Sequence, residues 1–268
     1  MKRPVLVSAL LVAANLGHIS GAQAQSTKEQ PLQEVFQTDL VYPQEKGELQ
    51  LTTGFSLSKR LGAVLVQVPA SLEYGITDRW QVDLQWDGVT GIHSPFGSSL
   101  VGTGDLSIGT MFSFMNVANT SLHLAVGFEL GLPTGDRDKG MSEGFVEYEP
   151  FLIAAKDFPG MHNLQIFTQV GLRLVTASRH DLDNEEPAAH ELNWGSGFFI
   201  PMRRLCITTE FNWVTNEWNH GGIENRHSLT PGLIWRLPHN WEIGIGAPIG
   251  LSRKSSDSSV ILKLTREF

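Results

Sequence analysis

Residues 79–90 read RWQVDLQWDGVT. From residue 80 to residue 87 every second residue is large and apolar, and the residues between are polar: Trp80, Val82, Leu84 and Trp86 alternate with Gln81, Asp83, Gln85 and Asp87. Successive side chains of a β-strand point to opposite faces. The stretch therefore predicts a strand with one apolar and one polar face.

The same alternation recurs from residue 48 to the end of the chain, in segments separated by turn residues. Twelve segments are present, at about 48–58, 63–76, 79–90, 103–115 and 120–132, and around residues 150, 168, 197, 209, 233, 245 and 263. Strands that face lipid on one side and a polar lumen on the other have this pattern. It predicts an all-β fold, a transmembrane antiparallel β-barrel of about 12 strands over residues 48–268. The alternative is a secreted β-sandwich whose aromatic side chains form its core.

The connections between segments alternate in length, as they do in outer-membrane barrels. Tight links are expected at 76–78, 116–119, 158–161, 201–204 and 237–240, and longer ones at 88–102, 133–144, 176–190, 215–226 and 252–258. The link at 59–62 is short where a long loop is expected. This alternation favours the barrel in a bacterial outer membrane.

The N-terminal residues read as an export signal followed by a polar arm. Lys2 and Arg3 precede an apolar run at 5–16, and Ala22-Gln23-Ala24 resembles a cleavage site, so residues 1–24 are predicted to be a signal peptide of a Gram-negative protein. Residues 25–47 contain Pro31 and Pro43. They are interpreted as a periplasmic N-terminal arm or a plug that enters the barrel, with a disordered leader as the simpler alternative.

Composition excludes several classes of protein. The chain has 18% charged residues, 27 glycines and a single cysteine, which excludes a coiled coil, an intramolecular disulfide framework and a cysteine-rich zinc module. The formal net charge of −8 argues against nucleic acid as a partner, because phosphate binding needs a concentrated basic surface.

Aromatic residues near the ends of segments indicate membrane interfaces. They are Trp80, Trp194, Trp213, Trp218, Trp235 and Trp241. The last segment ends in Phe268, which resembles the assembly signal of outer-membrane proteins. The expected partners are outer-membrane lipid and lipopolysaccharide, the barrel assembly machinery through Phe268, and a small-molecule solute.

Two short motifs carry a family resemblance. Gly102-Thr103-Gly104-Asp105-Leu106-Ser107-Ile108-Gly109 and Leu132-Pro133-Thr134-Gly135-Asp136 resemble recurring motifs of an outer-membrane barrel family associated with the meta-pathway of phenol degradation. The resemblance implies a transporter of small, often aromatic or hydrophobic molecules.

The motifs also have a physical interpretation at the rim of the barrel. Gly104 and Gly135 permit tight bends, and Pro133 cannot donate to a β-ladder, so it marks the end of a strand. Asp105 and Asp136 either select solute at the rim or, as the simpler alternative, cap turns by bonding local backbone.

The polar faces of the segments predict the lining of the lumen. The predicted lumen-lining residues are Asp83, Asp87, Glu129, Glu147, Glu149, Arg173, Glu210, Arg236 and Glu242. Acids outnumber bases, so an open pore would prefer cations or neutral solutes to anions. The alternative is a filled lumen in which these acids pair with nearby bases and amides. Inward glycines near Phe151, Phe167 and Phe199 leave room, either for a passage or for those rings.

We therefore expect a passive channel or transporter that solute enters between the 88–102 and 133–144 loops. The alternative is a closed structural or adhesive barrel with no transport activity. An enzyme is not expected: His227 and Ser228 are neighbours on one segment and point to opposite faces, so they do not form a catalytic pair. No cofactor, metal site or catalytic residue is predicted.

Overall fold

A computed structural model describes residues 31–268 except 33, 96, 98, 143, 177–189 and 218–223. The described residues form β-strands and one short 3₁₀ helix, Arg137–Lys139. The strands are β1 Leu49–Arg60, β2 Ala63–Thr77, β3 Trp80–His93, β4 Ser99–Thr103, β5 Leu106–Val117, β6 Leu122–Leu132, β7 Val146–Phe158, β8 Leu164–Thr176, β9 Glu191–Met202, β10 Leu205–Thr215, β11 Asn225–Leu237, β12 Trp241–Gly246, β13 Ile249–Gly250 and β14 Ser258–Glu267.

These strands make a closed antiparallel barrel of twelve strands. β4 and β5 both pair with β3 and together form one interrupted strand, as do β12 and β13 against β11. Pairing of β1 with β14 and of β10 with β11 closes the ring. The predicted fold class and the strand number are confirmed. The predicted signal peptide, 1–24, lies outside the described residues.

The two ends of the barrel differ in their connections. Tight turns lie at the end that carries Leu49 and Phe268, here called the terminal end, and the opposite end is the loop end. The short link expected at 59–62 is present at the loop end, as a turn at Leu61 and Gly62 between β1 and β2. The expectation of a long loop over 88–102 is wrong in its extent. β3 continues to His93 and pairs with β4, so most of that stretch is a hairpin.

The outer face of the barrel is apolar. Leu84, Ile108, Val126 and Leu152 are large side chains that point outward from neighbouring strands and are exposed in the isolated chain. Trp80, Trp235 and Trp241 lie near the terminal end, and Trp194 and Trp213 lie near the loop end; Trp218 is outside the described residues. An apolar band between two aromatic belts on a closed barrel is the arrangement that an outer membrane requires, and the chain is an outer-membrane barrel.

The interior combines apolar and polar side chains. Phe151, Ile153, Phe167 and Phe199 point inward and are buried, which differs from a purely polar lumen. They pack with apolar residues from the stretch that precedes β1: Leu32, Val35, Phe36, Leu40 and Val41. The hydrophobic core therefore lies inside the barrel rather than between layers.

In the described ranges, no helix is both long and apolar enough to cross a bilayer.

Candidate functional site

A cavity of about 640 Å³ occupies the loop end of the lumen. Its walls come from β3 and from β5 to β11, and its floor is formed by Gln37, Thr38 and Asp39. The charged side chains that line it are Asp39, Asp87, Asp105, Glu129, Glu147, Glu149, Arg173, Glu191 and Arg226. This volume is in the range of sites for small organic molecules.

Both arginines of the cavity lie on the β8 to β11 side and are engaged by glutamates. Arg173 bonds Glu191 through Nη2, and its Nη1 lies 3.4 Å from Oε1 of Glu147. Nη2 of Arg226 lies 3.8 Å from Oε2 of Glu191, and its Nε lies 3.6 Å from Glu224. The positive charge of this wall is therefore compensated locally.

The remaining carboxylates of the cavity form no close ion pair, although the charge of Arg173 attracts Asp87 and Glu149 from a longer distance. Within the described residues, no Lys, Arg or His nitrogen lies within 4.0 Å of the carboxylates of Asp39, Asp87, Asp105, Glu129 or Glu149. Two of them accept hydrogen bonds from side-chain amides instead. Asp39 accepts from Nε2 of Gln169 at 2.9 Å, and Glu149 accepts from Nδ2 of Asn193 at 2.9 Å. The cavity thus carries an excess of negative charge.

The floor belongs to a stretch that crosses the lumen, residues 34–46, here called the inner segment. Its first half is bonded to β10: the backbone N–H groups of Phe36 and Gln37 donate to the two carboxylate oxygens of Glu210 at 2.8 and 2.9 Å. Its last residues reach the opposite wall, where the N–H of Gln44 donates to Oε1 of Gln81 at 2.9 Å. The inner segment is therefore fixed to both sides of the barrel.

An ion pair and a hydroxyl bond add to this attachment. Nζ of Lys263 on β14 lies 2.8 Å from Oε2 of Glu34 and also donates to the carbonyl of Val35 at 2.7 Å. Oγ of Ser113 on β5 donates to the carbonyl of Val41 at 2.7 Å. Buried backbone groups need such partners because water is excluded around them.

The ring of Phe36 lies over three inward glycines. A Cβ built on Gly232 would be 2.1 Å from Phe36, and a Cβ on Gly244 or Gly246 would be 3.0 or 2.9 Å from it. The ring thus fills space that the glycines leave open. At two other places the inward glycines leave room for an aromatic ring rather than for a passage, since Phe151 covers Gly127 and Phe167 lies against Gly197.

The other predicted lumen-lining residues do not line the cavity. Asp83 accepts from Nε2 of Gln85 at 3.1 Å, and Glu210 is fully buried against the inner segment. Glu242 is buried beside Glu34 and Lys263. Arg236 donates to the carbonyl of Arg203 at the terminal end. The structure therefore brings together Asp87, Glu129, Glu147, Glu149 and Arg173 around the cavity and places Glu210, Arg236 and Glu242 away from it. Asp83 does not line the cavity but lies in the same row as Glu129, with Gly109 of β5 between them.

The two rim motifs are bonded to one another. Oδ1 of Asp105 accepts from the N–H of Gly135 at 2.7 Å, and Oδ2 of Asp136 accepts from the N–H of Thr103 at 3.1 Å. The N–H of Gly104 donates to Gly88 at 2.8 Å, and Pro133 follows the last residue of β6. Both aspartates therefore bond backbone, but the backbone of the other motif rather than their own turn. This contact is here called the rim clasp.

The histidine and serine of β11 are not arranged as a catalytic pair. The ring of His227 lies 6.3 and 5.9 Å from those of Phe211 and Trp213, away from the inward Ser228. In these ranges, no group of three or more His, Cys, Asp or Glu side chains has the geometry to hold a metal ion.

Solved structures of outer-membrane channels are similar to this chain. An outer-membrane channel from Pseudomonas putida F1 is 13% identical with a TM-score of 0.63, over 85% of this chain and 98% of that one. The KdgM porin is 9% identical with a TM-score of 0.55, over 82% and 99% of the two chains. The NanC porin is 8% identical with a TM-score of 0.54, over 81% and 97%. At sequence identities this low, the similarity shows the fold alone.

The chain matches no protein-family model and no curated protein sequence. The resemblance to the phenol meta-pathway family is therefore not confirmed.

Several residues of the site were missed from the sequence. Glu191 is the first residue of β9, and Arg226 is the second residue of β11. Both lie an even number of residues from the inward glycines of their strands, so their side chains also point inward. Extending the alternation by a few residues would have found them. Asp39 and Phe36 precede the first strand and carry no periodic signal.

Proposed function

We propose that the chain is a passive outer-membrane channel for small molecules, with the polar cavity as its entrance. The observation that carries this proposal is the cavity itself, a charged space inside the barrel that is large enough for a small solute. The similarity to channels and porins supports it.

The charge of the cavity sets the expected selectivity. Carboxylates in a narrow, low-dielectric passage concentrate cations and repel anions. In our proposal, solute enters between the β3–β4 hairpin and the 133–144 connection and passes the inward acids Asp83, Glu129, Glu147 and Glu149. It leaves at the terminal end, into the periplasm. Cations and neutral solutes pass in preference to anions.

The inner segment would act as a plug in this path. It lies between the cavity and the terminal end, and Glu210, Lys263 and Gln81 hold it. A hydrogen bond to a charged group contributes about 1.5–3 kcal/mol. Wide passage would therefore need the segment to shift, whereas small ions would pass beside it.

One observation favours the second candidate function, a closed structural or adhesive barrel. The inner segment and the inward rings of Phe36, Phe167 and Phe199 fill the lumen below the cavity. A barrel filled in this way has no need to conduct, and its loops would then serve to contact partners.

The proposal also covers the class of solute and the partners of the barrel. The family resemblance implies aromatic or hydrophobic solutes, which Phe145 and Phe151 in the cavity lining would contact. Phe268 is exposed and stacks on Arg266, with 4.3 Å between guanidinium and ring centroid, so it is accessible for recognition by the barrel assembly machinery. The apolar outer face would contact outer-membrane lipid and lipopolysaccharide.

Single-channel recording of the refolded barrel in a planar bilayer under a KCl gradient tests the function. We expect steady conductance with a reversal potential displaced toward the K⁺ equilibrium potential. The Glu129→Gln variant should lower the K⁺/Cl⁻ permeability ratio about two- to threefold at about 0.1 M salt, because one charge about 7 Å from the ion path in water, after screening, attracts K⁺ and repels Cl⁻ by about 0.3 kcal/mol each.

Asp257→Asn is the matched control. Asp257 is an exposed acid of the connection that precedes β14, outside the assigned entrance, and it does not line the cavity, so its removal should leave the ratio unchanged. Absence of conductance in the folded barrel would contradict the channel and favour the closed barrel. Anion preference would contradict the assigned path.

A further inference from the structure

The carboxylates of one cavity wall are placed side by side. Glu129 on β6 is directly opposite Glu149 on β7, and in the next inward row Gly131 is opposite Glu147. Paired positions on neighbouring strands are about 4.5–5.5 Å apart, and successive inward residues along a strand are about 7 Å apart. The acids therefore form a two-row array on the wall.

Such an arrangement is unfavourable without a cation. Like charges directly opposite each other destabilise a β-sheet. The nearest bases, Arg173 and Arg226, are already bonded to Glu147 and Glu191. Arg173 attracts Glu149 only from beyond ion-pair distance, and no described base lies within 4.0 Å of Glu129 or Glu149. A cation from outside the chain would remove this repulsion.

The shape of the cavity favours an organic cation over a metal ion. No three acids among the described residues converge on one point, whereas the charges are spread over about 640 Å³. Apolar side chains lie among them: Met141, Phe145 and Phe151 also line the cavity. An alkyl chain can contact these side chains while its charged ends reach separate carboxylates.

We propose that the cavity binds linear organic amines that carry two or more ammonium groups. The ammonium groups bond Glu129, Glu149 and Asp87, and the methylene chain lies against Phe151 and Phe145. This inference rests on the proposed function in naming the solute class of the same cavity, but binding does not require the barrel to conduct.

Titration calorimetry of the refolded barrel in detergent tests the proposal, with hexane-1,6-diamine as the probe at neutral pH. Saturable binding of one diamine per barrel is expected. Hexane-1,6-diol, which has the same length and no charge, should not bind. The double variant Asp87→Asn and Glu129→Gln should weaken diamine binding about tenfold, because two ion pairs in a solvated site are lost.

The single variants Glu129→Gln and Asp87→Asn provide intermediate steps should the double variant not fold, and Asp257→Asn, outside the cavity and its entrance, should bind the diamine as the unmodified chain does. The proposal is overturned if the folded barrel does not bind the diamine saturably. It is also overturned if diol binds equally well, or if the double variant keeps full affinity.

The result separates this inference from the proposed function. Diamine binding without conductance would support the binding site and contradict the channel. Conductance without diamine binding would support the channel and overturn the solute class.

Discussion

At the scale of single residues, the contact between Phe36 and Gly232 joins the inner segment to the barrel wall. A methyl group on Gly232 would overlap the ring, since the added Cβ would be 2.1 Å from a ring carbon. We predict that Gly232→Ala lowers the free energy of unfolding by about 1–3 kcal/mol, the usual cost of overpacking. Urea unfolding of the barrel in phospholipid vesicles, followed by tryptophan fluorescence, measures it.

A double-mutant cycle identifies the source of that loss. In a Phe36→Ala background, Gly232→Ala should cost much less, because the clash is gone. Gly160→Ala is the matched control, as a Cβ there meets nothing within 4 Å. Equal losses with and without the Phe36 ring would contradict the proposed packing.

At the scale of elements, the rim clasp fastens the β4–β5 junction to the end of β6. Bonds from Lys139 and from the N–H of Thr103 hold the pKa of Asp136 below the ordinary aspartate value of 3.8. A carboxylate whose pKa is lower in the folded state than in the unfolded state stabilises the folded protein at any pH above its unfolded pKa. That stabilisation is lost as the pH falls through the folded pKa. The Asp136 contact of the clasp should therefore be complete at neutral pH and weaken below about pH 4.

We predict that Asp136→Ala speeds hydrogen exchange at the Thr103 amide several-fold at pH 7, because that N–H loses its acceptor. After correction for intrinsic exchange, the difference should shrink at acidic pH, where the carboxyl of the unmodified chain is protonated. Exchange measured by NMR in detergent micelles gives both values. A difference that stays constant down to pH 2 would contradict the role of the ionised Asp136.

At the scale of the whole molecule, the apolar outer band holds the barrel in the bilayer. Val126 lies near the middle of β6 and points outward. We predict that Val126→Arg lowers the free energy of folding into vesicles by about 2–4 kcal/mol, the cost of a cation near the membrane midplane. Leu61→Arg, at a turn where the side chain is 81% exposed, should cost less than about 1 kcal/mol. Equal costs at both positions would contradict the predicted depth.

Sequence alternation was sufficient to predict the barrel, because a strand's side chains alternate with a period of two and a closed sheet turns one of its faces entirely toward lipid. That periodicity placed Glu129, Glu147 and Glu149 on the inner face, together with Arg173. It failed over residues 88–102, where glycines and small side chains obscure the alternation of β3 and β4.

Tertiary contacts determine the conformation of the inner segment. Residues 34–46 have no period of their own, and their conformation depends on partners more than a hundred residues away: Phe36 on Gly232, its N–H on Glu210, and Glu34 on Lys263. The same holds for the cavity, whose floor is this segment and whose charge balance depends on which acids Arg173 and Arg226 reach. Local patterning determines which face of each strand is apolar, whereas contacts distant along the chain determine what fills the lumen and which charges remain uncompensated.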